Sequence, residues 1–304
     1  LSGHVLVAQS YTWAWAQGIN GNNEDVVTGV ANDNASGAIY AAGYTKSSGA
    51  ITGTAGTVSG GQDAFLIKYT TSGSLAWSFT PSGNGTSQAT GIAVDANGNS
   101  YVTGWYKNSI DLHGLSATGS GVLIGNGDLN WFIASYASDG TLRWCSQVGG
   151  PNDDTPSSIA VSNDAVYVLG TIKGRITTPY GSVSNSLPTG KYNLVLVKYS
   201  LNGSGQWLVS GGSNDDESAH SVATDEDQVY VAFRTKNTDH KWYGPSGNTL
   251  VSSSALDNWD LRVSAFTATG SHSWIVAVNE SEDSYAGPAS LATGCGAVYL
   301  TSST

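Results

Sequence analysis

"SSIAVSNDAVYVLG", residues 157–170, sets two short apolar runs on either side of Asn163-Asp164. Asn and Asp turn the chain readily, because their short polar side chains hydrogen-bond to nearby backbone. The stretch therefore predicts a strand, a tight turn and a second strand. The phrase recurs upstream as "ATGIAVDANGNSYVTG" (89–104) and "VVTGVANDNASGAIYAAG" (26–43). Downstream it returns as "AHSVATDEDQVYVAF" (219–233) and "PASLATGCGAVYLTS" (288–302). Five copies of one hairpin are the mark of a repeat architecture.

Tryptophan measures the repeat. Trp15, Trp77, Trp144, Trp207 and Trp274 are separated by 62, 67, 63 and 67 residues. The tyrosine of the hairpin keeps step at Tyr40, Tyr101, Tyr167, Tyr230 and Tyr299. Each unit adds a third strand-like run, "DAFLIKY" (63–69), "NWFIASY" (130–136), "NLVLVKY" (193–199) and "DLRVSAF" (260–266). A fourth run carries the Trp, as in "SLAWSF" (74–79) and "TLRWCSQV" (141–148), after short turns such as "TTSG" and "ASDG". Four antiparallel strands per unit make a β-propeller blade.

The expected fold is all-β, a five-bladed propeller in one domain spanning 1–304. The chain begins with a third and a fourth strand, "HVLVAQ" (4–9) and "TWAWAQG" (12–18), and ends with a first and a second. A composite blade of 1–18 plus 284–304 is therefore expected to close the ring and remove its open edges. The complete blades are expected at about 25–80, 88–148, 155–211 and 218–279. A fragment of a larger ring is the alternative.

Composition narrows the function. The chain has 12 Lys and Arg against 23 Asp and Glu, a net charge of -11, which repels nucleic acid. No run of about 18 apolar residues is present, so no membrane span is expected. Scarce Lys and turns rich in Gly, Ser, Thr and Asn point to an exported or cell-surface protein. The start at Leu1, without a charged leader, fits a mature or excised product. Two cysteines, Cys145 and Cys295, fall in blades that are not neighbours and are expected to be free thiols.

The unit "DAFLIKYTTSGSLAWSF…GIAVDANGNSYVTGWY" resembles the bacterial SBBP β-propeller repeat, most sharply over 63–104. The resemblance implies the propeller fold and exported or surface-located bacterial proteins, mostly without a defined activity. The family name speaks of seven blades, from which five would depart.

Candidate sites follow from strand order. The loops between second and third strands are long, at 46–62, 107–129, 173–192 and 236–258, and start from one face of the ring. Part of each reads as a further hairpin covering a blade edge. The run "HKWYG" places His240, Lys241, Trp242 and Tyr243 together, a mixture suited to stacking on a sugar or anchoring a protein partner, or else to packing on a neighbouring blade. Trp105 and Tyr106, at the end of a second strand, form a similar pair.

Acidic pairs precede the first strands: Glu24-Asp25, Asp153-Asp154, Asp215-Asp216 and Glu282-Asp283, with Thr86-Ser87 in the remaining unit. Recurrence favours turn capping by carboxylates. Ca²⁺ ligation by Asp153, Asp154, Asp215 and Asp216 is the weaker alternative, and paired-carboxylate glycosidase chemistry weaker still. No other cofactor, no catalytic residue and no metal motif is expected. The function these features favour is a non-enzymatic binding propeller taking a surface glycan or protein on its long-loop face. A structural subunit of a larger extracellular or secretion-linked assembly is the second reading, and a carbohydrate-active enzyme the third.

Overall fold

A computed structural model of the 304-residue chain describes residues 14–19, 21–46, 61–115, 121–184, 186–225, 227–236, 240–245, 249–253 (backbone), 259–278, 289–294 and 296–302. Every regular element among them is a β-strand. The first blade is β1 (Asp25–Asn32), β2 (Ile39–Thr45), β3 (Asp63–Tyr69) and β4 (Leu75–Phe79), antiparallel and in that order. The second is β5 (Ser87–Val94), β6 (Ser100–Asp111), β7 (Val122–Tyr136) and β8 (Leu142–Val148).

The third blade uses β9 (Asp154–Val161), β10 (Ala165–Lys173), β13 (Tyr192–Ser200) and β14 (Gly205–Gly212), with a small hairpin of β11 (Thr177–Thr178) and β12 (Gly181–Ser182) between β10 and β13. The fourth uses β15 (Glu217–Thr224), β16 (Gln228–Thr235), β19 (Asp260–Thr267) and β20 (His272–Val278). Between β16 and β19 lie β17 (His240–Tyr243) and β18 (Thr249–Ser253). The last pair, β21 (Ser290–Gly294) and β22 (Ala297–Thr301), is a two-stranded sheet.

The first strands of successive units touch in series, β1 to β5, β5 to β9, β9 to β15 and β15 to β21, so they line the ring's centre. The propeller class expected from the repeat is present. The count is corrected: four four-stranded blades are described, not five. The end of the chain contributes only β21 and β22, and residues 1–13, needed by the expected composite blade, lie outside the described residues.

The tryptophan period has a mechanical cause. Each third-to-fourth-strand turn closes with a glycine at positive φ, Gly73, Gly140, Gly203 and Gly270, the geometry of a hairpin loop with a glycine bulge. The Trp of the preceding unit lies against that glycine and donates its indole N–H into the turn. Trp77 bonds Ser138 O (3.0 Å), Trp144 bonds Leu201 O (3.0 Å) and Trp207 bonds Ala268 O (3.0 Å). Trp15 does the same to Thr71 O at 2.9 Å. A Cβ on Gly73 would stand 2.6 Å from Trp15, and one on Gly203 2.6 Å from Trp144, so no larger residue fits beneath the ring. One residue per unit thus fastens each blade to the next.

The cores lie between blades. Phe79, Tyr106, Phe132 and Tyr136 join blades one and two, and Trp131, Ile159, Val197 and Tyr199 join two and three. Tyr167, Leu196, Val231, Phe233 and Trp242 join three and four.

Candidate binding face

In the described parts of blades two to four, the long loops are tongues that fold back along the ring's circumference. β6 bends at Asn108, whose φ is 65°, and its end pairs with the start of β7. Asp111 then bridges to Ser82 beyond β4, while Leu112 is buried and its carbonyl accepts the Tyr136 hydroxyl at 3.0 Å. In the third blade Tyr180 reaches down to Tyr199, hydroxyl to hydroxyl at 2.8 Å. In the fourth, β17 pairs with β14 of the previous blade, so blade three becomes a six-stranded sheet in the order β18-β17-β14-β13-β10-β9. The physical reason is angular. A ring of few blades opens a wide wedge between neighbouring outer strands, and the tongues fill it with apolar side chains. They also cover the outer edges of β4 and β14. Most of the first tongue, 47–60, lies outside the described residues.

This corrects the main site expectation. Trp242 is fully buried (0 % exposed), as is His240, and Tyr243 is 5 % exposed. Trp242 sits edge-on to Phe233 and Phe266, covers Gly211, and donates its indole N–H to Ser264 Oγ at 3.0 Å. Aromatics in this wedge bury more apolar surface than on any outward face. Only Lys241 of the "HKWYG" side chains is exposed. Tyr106 is also buried, within the core between blades one and two, and Trp105 is half-buried beside its cross-strand partners Gln88 and Trp131.

The acidic pairs are engaged with the chain. Asp154 is fully buried and accepts Gly150 N–H (2.5 Å) and Lys173 N–H (2.9 Å). Burial pushes its pKa up to about 6, against the pull of those two bonds. Asp153 accepts Leu129 N–H, within β7, at 3.1 Å, and Asp216 accepts Tyr192 N–H, at the start of β13, at 2.9 Å. Asp215 meets Lys191 Nζ at 3.2 Å, and Glu24 meets Lys46 Nζ at 2.5 Å. Ser87, in the unit without acids, does equivalent work by accepting Ala64 N–H at 2.9 Å. These bonds fit carboxylates that cap loops. No group of three or more His, Cys, Asp or Glu able to hold a metal occurs among the described residues. Glu282 and Asp283 lie outside them, as does Cys295; Cys145 is half-buried on β8.

Two further features complete the surface. On the opposite face, the first-to-second-strand turns enclose a central depression of about 250 Å³ lined by Asp95, Ser162, Asn163, Thr224 and Asp225 among others. Its carboxylates are held in their own turns, Asp95 by Asn97 N–H and Asn99 N–H and Asp225 by Gln228 N–H. On the circumference, the β6–β7 tongue shows Val122 and Ile124 to solvent, 48 % and 74 % exposed. The two stand on one side of the strand, as residues two apart do. Sequence reasoning missed this pair because "GVLIGNG" reads as an ordinary strand with nothing to say which side stays uncovered.

Residues 82–105 match the family model described as SBBP, beta-propeller repeat. The chain carries an SBBP β-propeller repeat. An uncharacterised WD repeat-containing protein of Acanthamoeba polyphaga mimivirus is 25% identical over 202 residues, which cover 58% of this chain and 14% of that protein. Among solved structures, two single-residue variants of Synechocystis apocarotenoid oxygenase align over 79% of this chain and 55% of theirs. Identities are 12% and 11% and TM-scores 0.34 and 0.33. A likeness of that size carries no argument about chemistry. The chain thus spans a small part of the viral relative and about half of the oxygenase. No helix among the described residues is long and apolar enough to cross a membrane.

Proposed function

We propose that this propeller is a non-enzymatic binding or scaffold module, exported or held at a cell surface, and that its partner is a protein met at the circumference. The observation carrying this reading is the Val122–Ile124 pair on the β6–β7 tongue. Two aliphatic side chains held in solvent on a strand braced by the ring suit a protein partner. The candidate sugar-stacking aromatics Trp242 and Tyr243 are buried, which weakens the glycan alternative. Asp154 and Asp216 hold backbone N–H groups and Asp215 holds a lysine, which weakens the glycosidase alternative.

The test is a binding screen of extracellular proteins and glycans with the wild type and with Val122→Asp/Ile124→Asp. A protein that binds the wild type and loses at least about thirty-fold in affinity for a folded variant supports the reading, since a central apolar anchor is worth about 2 kcal/mol. Glycan binding that survives the double change overturns it.

The contacts of the repeat continue at both ends of the described ring. Trp15 repeats the indole contact made by Trp77, Trp144 and Trp207, and β21 takes the next inner seat through Leu291 N–H to Ser221 Oγ (3.1 Å). Tyr299 is 55 % exposed, whereas Tyr40, Tyr101 and Tyr167 are buried under their units' own tryptophans.

A further inference from the structure

β7 runs for 15 residues, and its two ends have different neighbours. From Trp131 to Tyr136 it lies between β6 and β8. From Val122 to Ile124 it pairs with β6 on one side only, Asp111 with Val122, Ile110 with Leu123 and Ser109 with Ile124. On its other side no described residue pairs with this stretch. The hydrogen bonds around it fix which way its backbone points. Leu112 N–H donates to Gly121 O at 2.9 Å, and on the far side of β6 Asp111 N–H donates to Ser82 O at 2.6 Å. Asp111 thus turns its backbone away from β7. The facing pairs Asp111–Val122 and Ser109–Ile124 are therefore the non-hydrogen-bonded pairs of the antiparallel ladder. Alternation directs the N–H and C=O of Leu123 towards β6, and those of Val122 and Ile124 outward to the open edge. The same two residues carry the exposed aliphatic side chains.

Proteins guard open sheet edges with charge, with proline or with a covering segment. The run Val122–Gly125, "VLIG", holds neither charge nor proline. Blade three shows what a covered edge looks like in this ring. There β17 lies antiparallel on the outer edge of β14, with Ser210 facing Tyr243 and Gly211 facing Trp242. The charges beside the β7 edge are mainly negative. The strands β6 and β7 carry Asp111 and Asp128 against Lys107, and Asp153 accepts Leu129 N–H. The chain as a whole carries a net charge of -11. A neighbour that satisfies this edge therefore has to bring a backbone, apolar side chains and positive charge together.

We propose that a partner protein adds an extended strand to the open edge of β7 at Val122–Ile124, laying apolar residues beside those two side chains and Lys or Arg near Asp111 and Asp128. This rests on the reading of the circumference as a protein-binding surface and gives the partner its form. In strand addition the main chain supplies affinity, and the alternate side chains of the added strand supply the choice of partner. The outward N–H and C=O groups of Val122 and Ile124 are the bonding positions, and the two aliphatic side chains stand beside the alternate residues of the incoming strand.

Linear peptides of about ten residues, longer than a typical strand, displayed on phage and selected on the full chain are the probe. A selected peptide should lose about ten-fold or more in affinity when one alternate set of its backbone amides is methylated and little when the other set is, because an edge strand bonds its neighbour through every second residue. Ile124→Pro, which removes an outward donor and no bond within the ladder, should cost a similar factor. Binding that is lost on Val122→Asp/Ile124→Asp but indifferent to methylation overturns strand addition and keeps the protein-partner reading. Binding indifferent to all of these changes overturns both, and a selection that yields no peptide overturns strand addition. Residue-resolved amide exchange on the free wild-type chain adds a test that needs no variant. Leu123 should exchange about ten-fold or more slowly than Val122 and Ile124 after correction for intrinsic rates. Equal protection of all three, whether from the chain itself or from a second copy, overturns the proposal.

Discussion

Gly104 shows how much one repeat position constrains. A Cβ there would stand 2.1 Å from the Gln88 carbonyl oxygen and 2.6 Å from the Phe132 ring. The inner strand is bulged at that level, between Ala89 and Gly91, which brings its backbone inward. The glycine of "YVTG" was visible as a repeat mark, but its cause lies in a bulge on another strand, where no local reading reaches. The acidic turns were more legible, because a side chain recurring in nearly every unit serves something every unit needs. Asp154 supports a measurable consequence. Its folded pKa, about 6, lies above its ordinary 3.8, so the folded chain holds this proton more tightly than the unfolded one. The stability it contributes is complete below about pH 4 and is lost as pH rises through about 6. Asp154→Asn cannot titrate, so urea midpoints of wild type and variant should diverge between those limits, with the wild type losing ground as pH rises. A constant difference across the range would show that Asp154 carries no such shift.

At the scale of elements, the hairpins were plain in the sequence and the tongues were not. "DAFLIKY" is a short continuous apolar run, as a strand buried on both faces should be, and β3 occupies Asp63–Tyr69. "HKWYG" contains the same residues whether it meets a ligand or plugs a gap. What decides is the wedge between blades three and four, which exists only once the ring is assembled. Phe233, standing where earlier units have glycine, was the available signal, since it fills the space that Trp242 then caps. Trp242→Ala should therefore act on stability. Removing a buried Trp typically costs about 3–5 kcal/mol, and here it also leaves Ser264 Oγ without the indole N–H. Thermal or urea unfolding reads the loss directly. A variant as stable as the wild type would show that β17 is held by its backbone ladder to β14 rather than by the indole.

At the scale of the whole molecule, the question is what the first eighteen residues do for the ring. Fold class and repeat length were legible because each unit repeats its contacts. The blade count was not, because a fifth hairpin in the sequence does not by itself make a fifth four-stranded sheet, and β21 and β22 are described as a two-stranded one. The described part of the N-terminal segment already bears on blade one. Trp15 lies against Gly73 and tilts over Tyr69 with ring centroids 5.9 Å apart, and Gln17 Nε2 donates to Gly73 O at 3.0 Å. Trp15 and Ile19 cover Phe65, Ile67 and Tyr69. Deleting residues 1–18 should therefore bare part of that cluster and remove the indole bond to Thr71. The expected outcome is a Tm lower by several degrees and a rise in light scattering on standing, since exposed apolar surface promotes association. Trp15→Ala removes the indole contact alone and should lower Tm by less. A truncated chain as heat-stable and as soluble as the full one would show that Trp15 adds nothing to the stability of blade one.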